Sequence, residues 1–324
     1  MLKNLTIILF SIILLSCKGA GTKDSSDQDR DAETRQTAEI EVPAFDGDSA
    51  YSYVKRQVDF GPRVPNTEAH RKAADWMVAE LKRHGVAVTE QHMKLTAFDG
   101  TILNARNIFG QINPEASDRT LLVAHYDCRP WADQDPDPDK QKLPVDGAND
   151  GASGVGVILE AARQFSLHNP GKGIDILFVD AEDWGTDDND ESWAMGTRYF
   201  VQNPVIAGYL PSRAIILDMV GGKTASFPVE YFSYQNAPEM VSAFWQAAAS
   251  VGHANLFPRT MGSAVTDDHV EFIKAGIPAI DIIEYHPGQG FTPHWHTSTD
   301  NMENISKETL RAVGESLMKY LNTL

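Results

Sequence analysis

Cysteine is nearly absent from this chain: Cys17 and Cys128 are the only two in 324 residues. No disulfide framework can brace the fold, so its stability must come from a packed core. Positive charge is also scarce. Lys and Arg number 28 against 45 Asp and Glu, a formal net charge of −17. That balance argues against nucleic acid, because a polyanion would be repelled rather than gain from counterion release, and it suits neutral or cationic substrates. Long apolar runs are missing as well, apart from Leu5 to Leu15. That run follows Lys3 and is too short for a comfortable transmembrane helix, but it has the length of a signal-peptide core.

The end of that run is equally specific. Leu14-Leu15-Ser16-Cys17 resembles the lipobox of bacterial lipoproteins, in which cleavage before the cysteine leaves it to carry lipid. From Lys18 to about Glu41 the chain is rich in Gly, Ser, Asp and Glu, with little to bury. The expected organisation is a signal peptide over 1–16, a lipidated Cys17 with a flexible tether over 17–42, and one catalytic domain over 43–324. A lipid anchor on Cys17 implies an exported protein held in a bacterial cell envelope.

Within the domain, 42% apolar content is enough for one large core. Helical spacing of apolar residues marks Phe45 to Phe60, a second helix from a cap at Asn66 or Thr67 to Gly85, and helices at Val155 to Ala162, Met195 to Gln202, Pro238 to Val251 and Lys307 to Leu324. Val86 to Leu95 and Ile102 to Ile112 alternate like paired strands about the Phe98-Asp99-Gly100 turn. Buried-strand runs lie at Thr120 to Ala124, Ile174 to Val179, Ala214 to Met219 and Ile277 to Glu284. This order predicts an α/β fold with helices on both faces of a central sheet.

Chemistry gathers where the strands end. The run from Ile174 stops in Glu182 and Asp183, the next in Asp218, and an earlier one in His125 and Asp127. In open α/β sheets ligands bind beyond the carboxyl ends of the strands. If Asp183 holds a metal, Glu182 can face the substrate as a proton carrier. Any one strand-end acid is more simply a helix cap or a solvated residue, and Asp150, on a Gly-rich turn before a helix, is most simply a cap. Catalytic zinc keeps three protein ligands and an open position. Asp150, Asp183 and a histidine would make such a set, although spacing does not choose among His286, His294 and His296. The acidic run between Asp133 and Asp139 reads as mostly solvated.

His125-Tyr126-Asp127, Gly147 to Asp150, Glu182-Asp183, Leu217-Asp218, Asp267-Asp268-His269 and Trp295-His296-Thr297 occur in an order that resembles the zinc aminopeptidase clan, and in particular its glutaminyl cyclase branch. The resemblance covers roughly Phe45 to Leu324. It implies a mixed, mostly parallel sheet flanked by helices and one zinc ion on Asp150, Asp183 and His296. It further implies Glu182 as general acid/base, with Asp218 and Asp267 in its hydrogen-bond network, and a substrate peptide with N-terminal glutamine. Trp193, Phe291 and Trp295 are candidates to grip the substrate's apolar parts, with ordinary packing an equal explanation for Trp193. The chain departs from animal cyclases in having Asp183 where they have Glu, and in lacking their paired cysteines. The segment Arg129 to Asp133 resembles prokaryotic members of the branch. A two-zinc aminopeptidase, using His125 and Asp218 beside a bridging Asp150, is the rival reading. A lipoprotein that binds peptides or glycans without turning them over is a third, physically unattractive because buried acids without a cation destabilise a fold.

Overall fold

Four strands with no exposed residue form the centre of the molecule: β3 (Arg119–His125), β4 (Gly173–Val179), β5 (Arg213–Asp218) and β6 (Ala279–Ile283). The computed structural model describes residues 44–324; the segments expected to be a signal peptide and a lipidated tether, Cys17 included, lie outside them. These four strands run parallel in the order β4-β3-β5-β6. The hairpin β1 (Ala87–Thr96) and β2 (Ile102–Ile112) adds two antiparallel strands beside β4, and β1, exposed along much of its length, is the edge. The sheet is therefore mixed and mostly parallel, as expected.

Both faces of the parallel strands are covered, which is why their sequences are continuous apolar runs rather than alternations. Side chains still alternate between layers. Leu122, Ala124, Ile176, Phe178, Ile215 and Leu217 face one core with helices α1 (Gly47–Val58), α2 (Glu68–Arg83) and α3 (Ala152–Leu167). Leu121, Val123, Leu177, Val179 and Ile216 face the other, against Phe200 of α4 (Met195–Gln202). The short α5 (Tyr231–Asn236) precedes α6 (Pro238–Ser250), which lies on the first face with α8 (Lys307–Thr323). On the second face is α7 (Asp268–Lys274), through Phe272. Thr67 caps α2 by accepting the His70 N–H, and Ser306 caps α8 through the Thr309 N–H.

The parallel strands present their carboxyl ends together, so His125, Glu182, Asp183 and Asp218 arrive on one edge. The chain turns sharply there. Ala181 and Met219, just beyond β4 and β5, have φ of 55° and 48°, a left-handed conformation that non-glycine residues adopt at a cost and that clusters at functional sites.

Candidate active site

The turn before α3 brings Asp150 into the cleft. Gly151 occupies the cap position with φ 89°, and an added Cβ would lie 2.8 Å from the Asp127 carbonyl oxygen, so the turn requires glycine. Asp150 makes no cap hydrogen bond, contrary to the simplest sequence reading. Its Oδ1 instead lies 3.0 Å from His125 Nε2. Asp183 Oδ1 lies 3.2 Å from His296 Nε2, and Asp150 Oδ2 is 3.7 Å from the same nitrogen. The donor atoms of Asp150, Asp183 and His296 all lie within 4.8 Å of one another. Of the three candidate histidines only His296 joins the cluster: His286 pairs with Glu284, and His294 with Thr299.

These three residues fit a cation. Both carboxylate oxygens of Asp183 are buried without a hydrogen-bond partner, a costly state that a metal relieves. Burial and the Asp150 charge raise the Asp183 carboxyl above its ordinary value. Burial also works against ionised Asp150, but the hydrogen bond and charge of His125, with His296 and Arg129, hold it below the usual range.

Neighbouring residues fix the ligands through their backbone. The Asp127 carboxylate accepts the N–H groups of Glu182 (3.1 Å) and Asp183 (3.2 Å), while Asp300 accepts those of Asn149 (2.7 Å) and Asp150 (3.1 Å). Arg129, buried, donates to the carbonyls of Asp183 and Gly185 and grips Asp133, whose Oδ1 is 3.5 Å from His296 Nδ1. Asp133 and Asp135 are thus structural, Asp135 accepting the Ser298 N–H, while Asp137 and Asp139 are solvated. Sequence reasoning gave none of Asp127, Arg129 and Asp300 this supporting role. Arg129 carried a signal, as a cation inside the Arg129 to Asp133 segment, and Asp127 stood at a strand end inside the His125-Tyr126-Asp127 motif; Asp300 had none beyond its type.

Glu182 projects to the other side of the same turn, its Oε2 3.9 Å from His125 Nδ1. Burial raises its carboxyl well above the ordinary value; the His125 charge opposes this, and those of Asp183, Asp267 and Asp268 add to it. Asp218, hydrogen-bonded to His125 at 3.2 Å, is pushed up to about 7 by burial and the Asp150 charge. Among the described residues no hydrogen bond joins Glu182 to Asp218 or Asp267; the Asp267 charge is among those that raise Glu182. Asp267 is also the N-cap of α7. Behind it, His269 lies between Glu230 (3.1 Å) and Asp281 (3.6 Å).

All nine residues expected at the site, Asp150, Glu182, Asp183, Trp193, Asp218, Asp267, Phe291, Trp295 and His296, line one cleft. Trp193 and Trp295 both stack on the His296 ring, with centroids 6.0 and 3.7 Å away, and Phe291 packs on Trp295 at 4.7 Å. Gly185 makes room for Trp193, because a Cβ there would collide with the indole ring. Trp193 therefore packs and lines the cleft at once.

A mixed sheet carrying a buried His and carboxylate cluster at its carboxyl edge is the framework of the zinc-dependent exopeptidases and cyclases. The chain belongs to peptidase family M28, whose model matches residues 107–321. The glutaminyl cyclase of Porphyromonas gingivalis is 50% identical, with a TM-score of 0.85, over 87% of this chain and 99% of that one. A Zn-dependent exopeptidase of Parabacteroides distasonis is 49% identical, with a TM-score of 0.86, over 88% of this chain and all of that one. Aminopeptidase YwaD of Bacillus subtilis is 30% identical over 267 residues, 78% of this chain but only 52% of that longer protein.

Proposed function

We propose that this chain is a zinc-dependent glutaminyl-peptide cyclotransferase, converting N-terminal glutamine of a peptide to pyroglutamate with release of ammonia and using one zinc ion. The observation that carries the reading is the 50% identity to the P. gingivalis glutaminyl cyclase across nearly the whole domain. Held by Asp150, Asp183 and His296, zinc would polarise the side-chain carbonyl of the glutamine. Glu182 accepts a proton from the α-amine as its nitrogen bonds to the side-chain carbonyl carbon. It then returns that proton to the amide nitrogen, whose bond to the same carbon breaks, and ammonia leaves with the proton count unchanged. A carboxyl that burial raises well above its ordinary value holds a proton more readily, as both transfers require. The Trp193, Phe291 and Trp295 surfaces shield the reacting carbon from water, whose attack would give glutamate instead.

His125 favours a single ion. Burial opposes its charge, but the nearby carboxylates of Asp127, Asp150 and Asp218 raise the imidazole well above its ordinary value. Its Nε2 lies 3.0 Å from Asp150 and 3.2 Å from Asp218, contacts made in the place a second ion would take. The second reading, a two-zinc aminopeptidase, draws on the YwaD relationship and on the donor atoms of His125, Asp150 and Asp218, which also lie within 4.8 Å of one another. Substrates and metal analysis separate the two. A glutaminyl peptide should lose the mass of ammonia and release no amino acid, with one zinc per active chain. Release of the first residue from alanyl or leucyl peptides, with glutaminyl peptides left uncyclised and two zinc ions bound, would establish the aminopeptidase instead.

We further propose that a lipid on Cys17 holds the enzyme in a bacterial cell envelope, a reading supported by Leu14-Leu15-Ser16-Cys17 and the polar tether after it. Cys17→Ala should move activity from the membrane to the soluble fraction of expressing cells. Unchanged membrane retention would count against lipidation.

A further inference from the structure

The cleft has an acidic outer wall that the reaction itself does not use. Asp187 and Asp190 line it and are exposed, on the segment between β4 and α4. That segment is built rather than loose. Thr186 donates its N–H to Ser192 Oγ at 2.8 Å, the Trp193 indole N–H reaches the Thr186 carbonyl at 3.2 Å, and Arg198 donates to the carbonyls of Glu191 and Trp193. The cations nearby are already engaged: Arg198 and Lys274 both pair with Glu191 and Glu271. Among the described residues Asp187 and Asp190 have no ion-pair partner, and the cleft is lined by no Lys or Arg. On the inner wall Asp267 Oδ2, buried in a residue that lines the same cleft, has no hydrogen-bond partner.

Glu182, Asp187 and Asp190 line the same cleft, so a peptide whose first residue sits at Glu182 shares it with this wall. Each further residue spans about 3.5 Å, so the second and third side chains lie within about 10 Å of the first. The screening length is about 8 Å at physiological ionic strength, so a charge on those side chains inside the cleft that Asp187 and Asp190 line is only partly screened from them. We propose that Asp187 and Asp190 are specificity-determining residues that select peptides with Lys or Arg at the second or third position and disfavour Asp or Glu there. The inference rests on the cyclase reading and names the substrate class it serves. Because the wall is exposed, the selection acts mainly through KM and fades with salt.

Ammonia release from three peptides that differ only in the second residue, Gln-Lys, Gln-Ala and Gln-Glu, tests this. At low salt kcat/KM should fall in that order, with about a tenfold span between Lys and Glu that shrinks at high salt. The Asp187→Asn/Asp190→Asn variant should compress the span to about twofold or less. The Asp137→Asn/Asp139→Asn variant, which removes the same charge from exposed sites outside the cleft lining, should keep it. Equal rates on the three peptides in the unaltered enzyme overturn the inference while leaving the cyclase reading intact. A span that survives in Asp187→Asn/Asp190→Asn, or falls equally in the distant pair, overturns the assignment to these two residues. Absence of ammonia from all three peptides overturns the cyclase reading, and this inference with it.

Discussion

Glu182 and Asp183 are adjacent, both buried and chemically alike, yet beyond the turn at Ala181 they meet different histidines. Asp183 meets His296, and both its oxygens are buried without a hydrogen-bond partner, so a cation there would satisfy them. Glu182 faces the cleft beside His125, its carboxyl raised by burial above all. Glu182→Gln keeps the shape and would remove the proton carrier proposed above. We expect turnover of a glutaminyl peptide to fall by about 100- to 10,000-fold with zinc content intact. Asp183→Ala should lose both zinc and activity. A Glu182→Gln enzyme that is active, or that loses its zinc, would reverse these roles. The sequence shows such acids readily, since each ends an apolar run. It marks Asp127 as one more strand-end acid without showing what it holds, and it does not mark Asp300; both carboxylates act on backbone N–H groups of distant segments, which leaves no local pattern.

Elements are legible where burial repeats along the chain. The four parallel strands are recognisable because both faces are covered, and the helices because Gly85 and Gly252 follow their apolar stripes. Helix α5 leaves no such mark: Tyr231, Phe232 and Tyr234 are exposed, and Ser233 is its buried residue, so it has no apolar stripe. Strand order is not a local property either, and β2 pairing antiparallel with β4 depends on residues about 70 positions apart, such as Ile108 and Phe178. Side-chain ties between elements are equally hidden. His70 of α2 reaches Asp180 beyond β4 at 2.8 Å, both buried, and Asp180 also accepts the Tyr126 hydroxyl and the Arg106 N–H. This anchors the strand end that carries Glu182. Burial lowers the His70 pKa, but the Asp180 charge and hydrogen bond prevail and raise it above 6.5. The contribution of the pair is therefore complete below that value and is lost as pH rises through the raised one. His70→Ala should cost about 2–3 kcal/mol in urea unfolding near pH 6, because it leaves the aspartate with fewer partners in a buried place. The cost should shrink at pH 9. A loss independent of pH would mean that His70 acts only by packing.

For the molecule as a whole, the concentration of acid makes the metal a stability device as well as a catalyst. Asp300 is pushed up to about 8 and Asp218 to about 7, each by burial first and by the Asp150 charge, against an ordinary value of 3.8. Between 3.8 and these values the folded chain binds more protons than the unfolded one, so rising pH removes stability. The net charge of −17 adds self-repulsion of the same sign. A zinc ion opposes the effect by favouring ionised carboxylates around it, and free zinc at 1,000 times its Kd would add about 4 kcal/mol. Chelator-treated protein should therefore melt on the order of 10 °C below the zinc-loaded form near neutral pH. Its Tm should fall steadily from pH 5 to pH 8, while the loaded protein shows a flatter profile. Asp300→Asn removes one of the raised carboxyls and retains an acceptor oxygen, so the slope of the chelated protein should lessen in that variant. Scanning calorimetry across the pH series decides the matter: a chelated protein whose Tm rises from pH 5 to pH 8 would show that these carboxyls are not held protonated by the fold.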